Sequence, residues 1–327
     1  MACQSKQEPQ KDKQEMNTEK EAIVLNYTDH HSYSKPEEAV VTHLIWNANV
    51  DFEAKVIQAT AIYSIKNLKG VDTIYLDSRN LVIEEVGRDD YEGSLGYKTH
   101  NRSDFLGTQI AIPISKQTKE ISIKYSTTEG ADALQFLDPV QTAGKEHPFL
   151  FTQSQAILAR TWIPCQDSPG VRFTYEATVK VPKGMLALMS ASNPTEVNEE
   201  GEYSFKMDQP VPSYLMALAV GNLEYKKIGE VSGVYAEPEM IEASAYEFAE
   251  MQNMVDTAEA LYGDYRWGMY DVIVLPPSFP FGGMENPRLT FATPTIIAGD
   301  RSLTALIAHE LAHSWSGNLV TNATWED

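Results

Sequence analysis

One change of hydrophobic rhythm, near residue 222, limits what this chain can fold into more than any other feature. From about Tyr27 to Asn222 apolar side chains recur at every second position. The stretches "ATAIYSIKNLKG", "DTIYLDSRNLVIEEVG", "EISIKYSTTEG" and "FTYEATVKVPKG" all alternate, and they close on turn residues such as Lys-Gly or Glu-Gly. Successive side chains of a strand point to opposite faces, so this pattern predicts sheets with one dry face and one wet face, paired antiparallel. "VPSYLMALAVGN" is a continuous apolar run and reads as a strand buried on both sides. No helix of ordinary length is called for in this half, and no internal repeat is evident.

Beyond Gly221 the period lengthens. "SAYEFAEMQNMVDTAEALYG" reads as one helix that opens on Ser244 and Glu247 in capping-box spacing. It carries Phe248, Met251, Met254, Val255, Ala258 and Leu261 on its core face and stops at Gly263. "YDVIVLPPSFP" is a short buried strand broken by Pro276 and Pro277. "RLTFATPTIIA" is a second, and its interruption at Pro294 predicts an edge or bulged strand. A last helix is expected from an N-cap at Ser302 to about Gly317; apolar on nearly every side, "SLTALIAHELAHSWSG" should be buried. Three regions follow: a charged, apolar-poor tail over 1–21 with the composition of a disordered arm, a β domain over 22–222, and a mixed domain over 223–327.

The last helix also carries chemistry. His309 and His313 lie four residues apart, one turn of helix, so both imidazoles can reach one ion. Glu310 is rotated about 100° from His309 and can face a metal-bound water without binding the metal. That is the layout of metal-assisted hydrolysis, with zinc acidifying the water and a carboxylate taking its proton. Buried polar atoms of this kind are costly without a partner, and a metal is the simplest one. Zinc in a catalytic site takes three protein ligands, and the motif supplies two. Ser316 and Leu319 stand where the metzincin pattern needs Gly and its third His, which excludes that class. The remaining common scheme takes a Glu from the following helix. A second constellation is "FPFGGMENPRLTF". Gly282 and Gly283 would let an extended substrate backbone approach and pair, and Glu285 would end that track as a carboxylate for a substrate's α-ammonium. A plain turn with a surface Glu fits the same residues.

Composition removes other functions. With 46 acidic against 26 basic residues the net charge is -20, which repels a phosphate backbone, so nucleic acid is not an expected partner. No apolar run reaches the ~18 residues of a membrane-spanning helix. Two cysteines make no disulfide framework. Cys165, with no His near it in sequence, reads as an ordinary buried thiol. Cys3 heads the polar tail. It resembles the lipid-attachment cysteine of a bacterial lipoprotein, which would place the protein in a periplasm; a cytoplasmic protein with a loose tail fits equally.

"GGMEN" (Gly282 to Asn286) followed by "HELAHSWSGNLVTNATWED" resembles the M1 family of zinc aminopeptidases. The surroundings are closest to the branch holding leukotriene A4 hydrolase and bacterial aminopeptidases, and the likeness runs from about Trp46 to the last residue. It implies a saddle-like, mostly β N-terminal domain followed by the start of an α+β thermolysin-like (gluzincin) catalytic domain. It also implies Zn2+ on His309 and His313, Glu310 as general base, and Glu285 on the free α-amine of a peptide. Gly282, Gly283 and Met284 would line the peptide track. Gln155 would stand where other M1 enzymes have an acidic amine-binding residue, with Gln153 in the same pocket. The substrates implied are peptides with a free N-terminus, and the family default is a monomer. The family's third zinc ligand and its transition-state tyrosine would fall beyond Asp327, so a 327-residue chain is expected to show little activity alone and to expose an unfinished apolar face. Phe281 replaces the Tyr of vertebrate leukotriene A4 hydrolases, which counts against an epoxide hydrolase. That activity, and a non-catalytic peptide-binding fragment, are the alternatives.

Overall fold

The structure, a computed structural model, describes residues 28–327. The expected tail, with Cys3, lies outside them. The described chain is mostly strand, arranged as four sheets with three α-helices near its end.

The largest sheet has six strands in the order Glu202–Pro212, Arg172–Lys180, Ala39–Asp51, Val56–Asn67, Glu120–Ser126 and Val82–Arg88. In Ala39–Asp51 the inward residues Leu44, Trp46, Ala48 and Val50 are buried and Asn47 and Asn49 are exposed, as a period of two requires. The buried face is pinned by polar tips. Trp46 Nε1 donates to the Tyr125 hydroxyl at 2.9 Å, and that hydroxyl donates to the Trp162 carbonyl at 2.8 Å. Trp46 and Trp162 meet edge to face at 5.3 Å, so large rings are buried without stranding their polar atoms. One pair departs from the expected antiparallel pattern: Ala39–Asp51 and Arg172–Lys180 run parallel. Alternation reports which face is dry, not strand direction, and these two strands lie far apart in sequence.

"DTIYLDSRNLVIEEVG" is two strands in different sheets. Thr73–Ser78 joins a three-stranded sheet with Gly107–Pro113 and Lys98–Ser103, while Val82–Arg88 edges the large one. Between them Asn80 takes a left-handed φ of 58°. "VPSYLMALAVGN" is also less regular than expected. A 3-10 turn over Ser213–Leu215 precedes a short strand, Leu218–Gly221, in a four-stranded sheet with Leu186–Met189, Phe149–Thr152 and Leu134–Leu137. Cys165 is buried and burial raises its thiol pKa well above the ordinary value, as an inert core residue requires.

From Glu224 the chain builds a five-stranded mixed sheet in the order Glu224–Lys227, Ser232–Ala236, Tyr270–Val274, Leu289–Ala292 and Gly283–Met284. Leu289–Ala292 is paired on both sides, so the expected edge strand is internal; it ends before Pro294, which opens a 3-10 turn instead of breaking a ladder. The single expected helix is two: α1, Pro238–Glu247, and α2, Met251–Tyr262. Ser244 is not a cap. It sits buried inside α1, and its hydroxyl donates to the Met240 carbonyl at 2.8 Å. The apolar stripe reads through the break because Phe248, Met251, Val255 and Ala258 enter one core regardless. Leu261 is exposed, and Gly263, at φ 90°, stops α2 where expected. The main core is continuous across the change of pattern: Tyr235, Trp267, Ile273, Leu289 and Phe291 pack with the β half. No described helix is long and apolar enough to cross a membrane.

Candidate metal and peptide site

The third helix, α3, spans Ala305–Ala312, shorter at both ends than expected. Its start is held by Thr304, whose hydroxyl donates to the Arg301 carbonyl. Its end tightens into turns in which Ser314 and Trp315 reach back three residues. Only one stripe of α3 is buried: Ile307, Glu310 and Leu311. Ala305, Ala308 and Ala312 are exposed, so the helix is not enclosed on every side. Burial follows what the helix packs against, and a uniformly apolar helix does not say which faces are covered.

That stripe turns Glu310 toward the mixed sheet. His309 is exposed and His313 half-buried, so the two imidazoles are not the buried polar groups that a helix enclosed on every side would have made them. His309 and His313 present their Nε2 atoms to each other at 3.3 Å. For zinc bonds of 2.0–2.1 Å, the edge of a tetrahedron is about 3.3–3.4 Å, so the pair is spaced to share one such ion. The His313 Nδ1 hydrogen is engaged by the Ser316 carbonyl at 2.9 Å, which leaves Nε2 as the lone-pair nitrogen. Glu310 is 5% exposed and turned to the other side of the stripe, against Gly283. Burial and the negative charge of Glu285 raise its pKa to about 7, with His313 acting against them. A carboxylic acid poised there is matched to proton transfer near neutrality. The donor set therefore fits a zinc ion on chemistry and spacing.

Gly283–Met284 is the edge strand of the mixed sheet, pairing only with Leu289–Ala292. Its other side pairs with no strand among the described residues. A Cβ on Gly283 would collide with the Glu310 carboxylate, and one on Gly282 would approach Leu306 Cδ1 at 3.1 Å. The missing side chains thus leave room for α3. Met284 is buried, and Gln153 Nε2 contacts its sulfur at 3.3 Å, while Gln153 Oε1 is buried without a partner. Glu285 is 9% exposed, and its side chain has no hydrogen-bond or ion-pair partner among the described residues. One ligand atom each from Glu285, Glu310 and His313 lie within 4.8 Å of one another. Gln155 is exposed and makes no hydrogen bond among the described residues.

Two residues that sequence reasoning passed over hold this arrangement. Asn318, buried just past α3, donates from Nδ2 to the Glu285 carbonyl at 2.7 Å. Arg172, on a strand of the large sheet, donates to the Asn318 carbonyl at 2.7 Å and to the Thr321 hydroxyl at 2.6 Å. Tyr214 and Trp267 also reach this segment, at the carbonyls of Gly317 and Ser314. Neither Asn318 nor Arg172 carried a signal in the sequence: Asn318 follows Ser316-Gly317 in a turn-like run and Arg172 opens an alternating strand, with no pattern to name their partners.

Residues 15–215 match the profile of the Peptidase M1 N-terminal domain, and residues 246–327 match the Peptidase family M1 domain. The chain belongs to peptidase family M1. Leukotriene A-4 hydrolase of Xenopus laevis is 45% identical over 310 residues, which cover 91% of this chain and 51% of that one. Leucine aminopeptidase 2-2 of Meyerozyma guilliermondii is 46% identical over 281 residues, 85% of this chain and 44% of that one. The native yeast LTA4 hydrolase structure superposes with a TM-score of 0.86 at 36% identity, covering 92% of this chain and 48% of that one. The resemblance to the M1 branch of leukotriene A4 hydrolase holds, as does the fold it implied: a mostly β N-terminal part and the beginning of the M1 catalytic part. This M1 chain spans about half the length of the curated relatives it matches.

Proposed function

We propose that the protein is a zinc aminopeptidase that removes N-terminal residues from peptides. The observation that carries this reading is the juxtaposition, across one edge strand, of the His309–His313 pair and buried Glu310 with the buried carboxylate of Glu285. His309 and His313 would hold the zinc ion, which when bound supplies the Lewis acidity that lets water attack a peptide carbonyl at neutral pH. Glu310, buried beside that pair, would take a proton from the attacking water and return it to the leaving amine. Glu285 pairs with the substrate's α-ammonium, so cleavage is counted from the N-terminus. The Gly283–Met284 edge aligns the peptide by main-chain hydrogen bonds. Gln153, with its unpaired Oε1, offers the same ammonium an acceptor, and Gln155 is assigned to this pocket on the family likeness alone.

The test is hydrolysis of leucyl-4-nitroanilide beside its N-acetylated counterpart, with and without a chelator. Cleavage of the free-amine substrate alone, abolished by chelation, is expected. Equal cleavage of both, or chelator resistance, would sink the reading. A fatty-acid epoxide in the same assay separates epoxide hydrolysis, against which Phe281 already counts.

A further inference from the structure

We propose that Glu247, at the end of α1, is a positioning residue for the HExxH helix: its buried carboxylate fixes the loop that feeds α3 and so sets where Glu310 stands against the edge strand. The inference adds a residue outside the site and rests on the aminopeptidase reading for its catalytic readout. Glu247 is fully buried and is the last residue of α1. Its Oε2 accepts from the Gly299 amide at 2.8 Å, and its Oε1 is buried without a partner among the described residues. Gly299 lies in the loop between the 3-10 turn Pro294–Ile296 and α3, which begins at Ala305.

A buried carboxylate that loses its one donor has nothing to replace the water it gave up on folding. The Gly299 bond is therefore costlier to break than an ordinary turn bond. α1 grips the loop a second time, two residues on. Arg301 takes a left-handed φ of 61°, unfavourable for an arginine by itself. It is held there by Tyr246: Arg301 Nε donates to the Tyr246 carbonyl at 2.9 Å, and the guanidinium lies over the Tyr246 ring at 4.5 Å. α3 has only eight residues, so where its entry loop is fixed bears directly on where its motif lies. On the sheet side the Tyr270 hydroxyl donates to the Ile307 carbonyl at 3.1 Å, close to Glu310 on the helix. Glu310 in turn fills the space that Gly283 leaves. A shift of α3 by about 1 Å would press it into the strand or draw it away, and misplacement on that scale can cost a rate about a hundredfold.

The test compares E247M, which fills the space without a good acceptor, and E247A with E247Q, which keeps an acceptor for the Gly299 amide. Each is made in the full 327-residue chain and checked for folding by circular dichroism. Hydrogen exchange is expected to quicken by about tenfold or more at Gly299 and through α3 in E247M and E247A, with α2 unchanged and E247Q like the wild type. On leucyl-4-nitroanilide, kcat should fall by about tenfold or more in E247M while KM stays within about twofold, because Glu285 and the edge strand are untouched. E247Q should restore kcat. Faster exchange at Gly299 alone, an unchanged kcat in E247M, or an E247Q as impaired as E247M overturns the proposal. So does failure of both E247M and E247A to fold, which would make Glu247 a core residue and nothing more. If the wild type leaves the anilide uncut, the aminopeptidase reading falls, and the exchange pattern by itself decides for or against Glu247.

Discussion

Gly283 shows how much a single position carries. Its missing side chain makes room for the Glu310 carboxylate, so G283A should force α3 or its glutamate away. A loss of about 1–3 kcal/mol is expected, the usual cost of an overpacked site, read as a lower urea midpoint; an unchanged midpoint would mean that Glu310 swings aside freely. Asp271 is a second such position. It is buried on Tyr270–Val274 with one carboxylate oxygen unpaired, and burial raises its pKa to about 7 against the lowering effect of Arg288. The folded chain therefore keeps a proton that the unfolded chain has lost above about pH 4. Its stabilising contribution is full below that pH and disappears as pH rises through about 7. D271N should flatten this slope and raise stability at pH 8 relative to wild type, by an amount on the order of 2–4 kcal/mol. Melting curves at pH 5 and 8 check the sign.

Among elements, the segment after α3 matters more than the helix length. α3 is short, yet its C-terminal exit is tied to the peptide edge by Asn318 and to the large sheet by Arg172. Register between HExxH and GGMEN is thus set by side-chain hydrogen bonds across elements and not by the sheet ladder. N318A strands the Glu285 carbonyl, a buried acceptor, and should cost about 1–3 kcal/mol. Faster amide exchange confined to residues 283–286 would show that the clamp has been released. Unchanged exchange would mean that the strand pairing alone suffices.

For the whole molecule, the β half is knitted by buried ions. Arg160 is fully buried between Asp77 and Asp167, donating from Nε to Asp167 at 2.8 Å and from Nη2 to the His31 carbonyl at 2.6 Å. Asp77 also accepts from the Tyr33 amide at 2.6 Å and from Ser32, which draws residues 29–34 into the fold. R160M would leave two buried carboxylates without a counter-ion, and should destabilise by about 3–5 kcal/mol at pH 8. The loss should be smaller at pH 5. Burial already raises the Asp77 pKa in the folded chain, and without Arg160 it rises further, so protonation relieves the buried charge. Equal losses at both pH values would place the damage in packing instead. The chain's net charge of -20 and pI near 4.7 predict a solubility minimum close to that pH, measurable by turbidity.

Local chemistry was legible in the chain without coordinates. A period of two implied strands with one wet face because side chains alternate along any strand, and the spacing of His309 and His313 implied two imidazoles within reach of each other because a helix turn brings such residues together. Both arguments need only the geometry of a single element. Gly263 as a helix stop belongs to the same class, whereas Gly87, which closes one of the alternating runs, lies inside the strand Val82–Arg88 and not in a turn. Contacts between elements could not be read this way. The parallel pairing of Ala39–Asp51 with Arg172–Lys180, the division of one expected helix into α1 and α2, and the internal place of Leu289–Ala292 depend on which neighbours arrive. So does the partial exposure of α3. Apolar residues all round a helix state what could be buried, while the packed fold decides what is. The pKa of Glu310 belongs there too: its charge state follows from the carboxylate of Glu285 and the burial around it, residues 25 positions apart in sequence that only tertiary structure sets face to face.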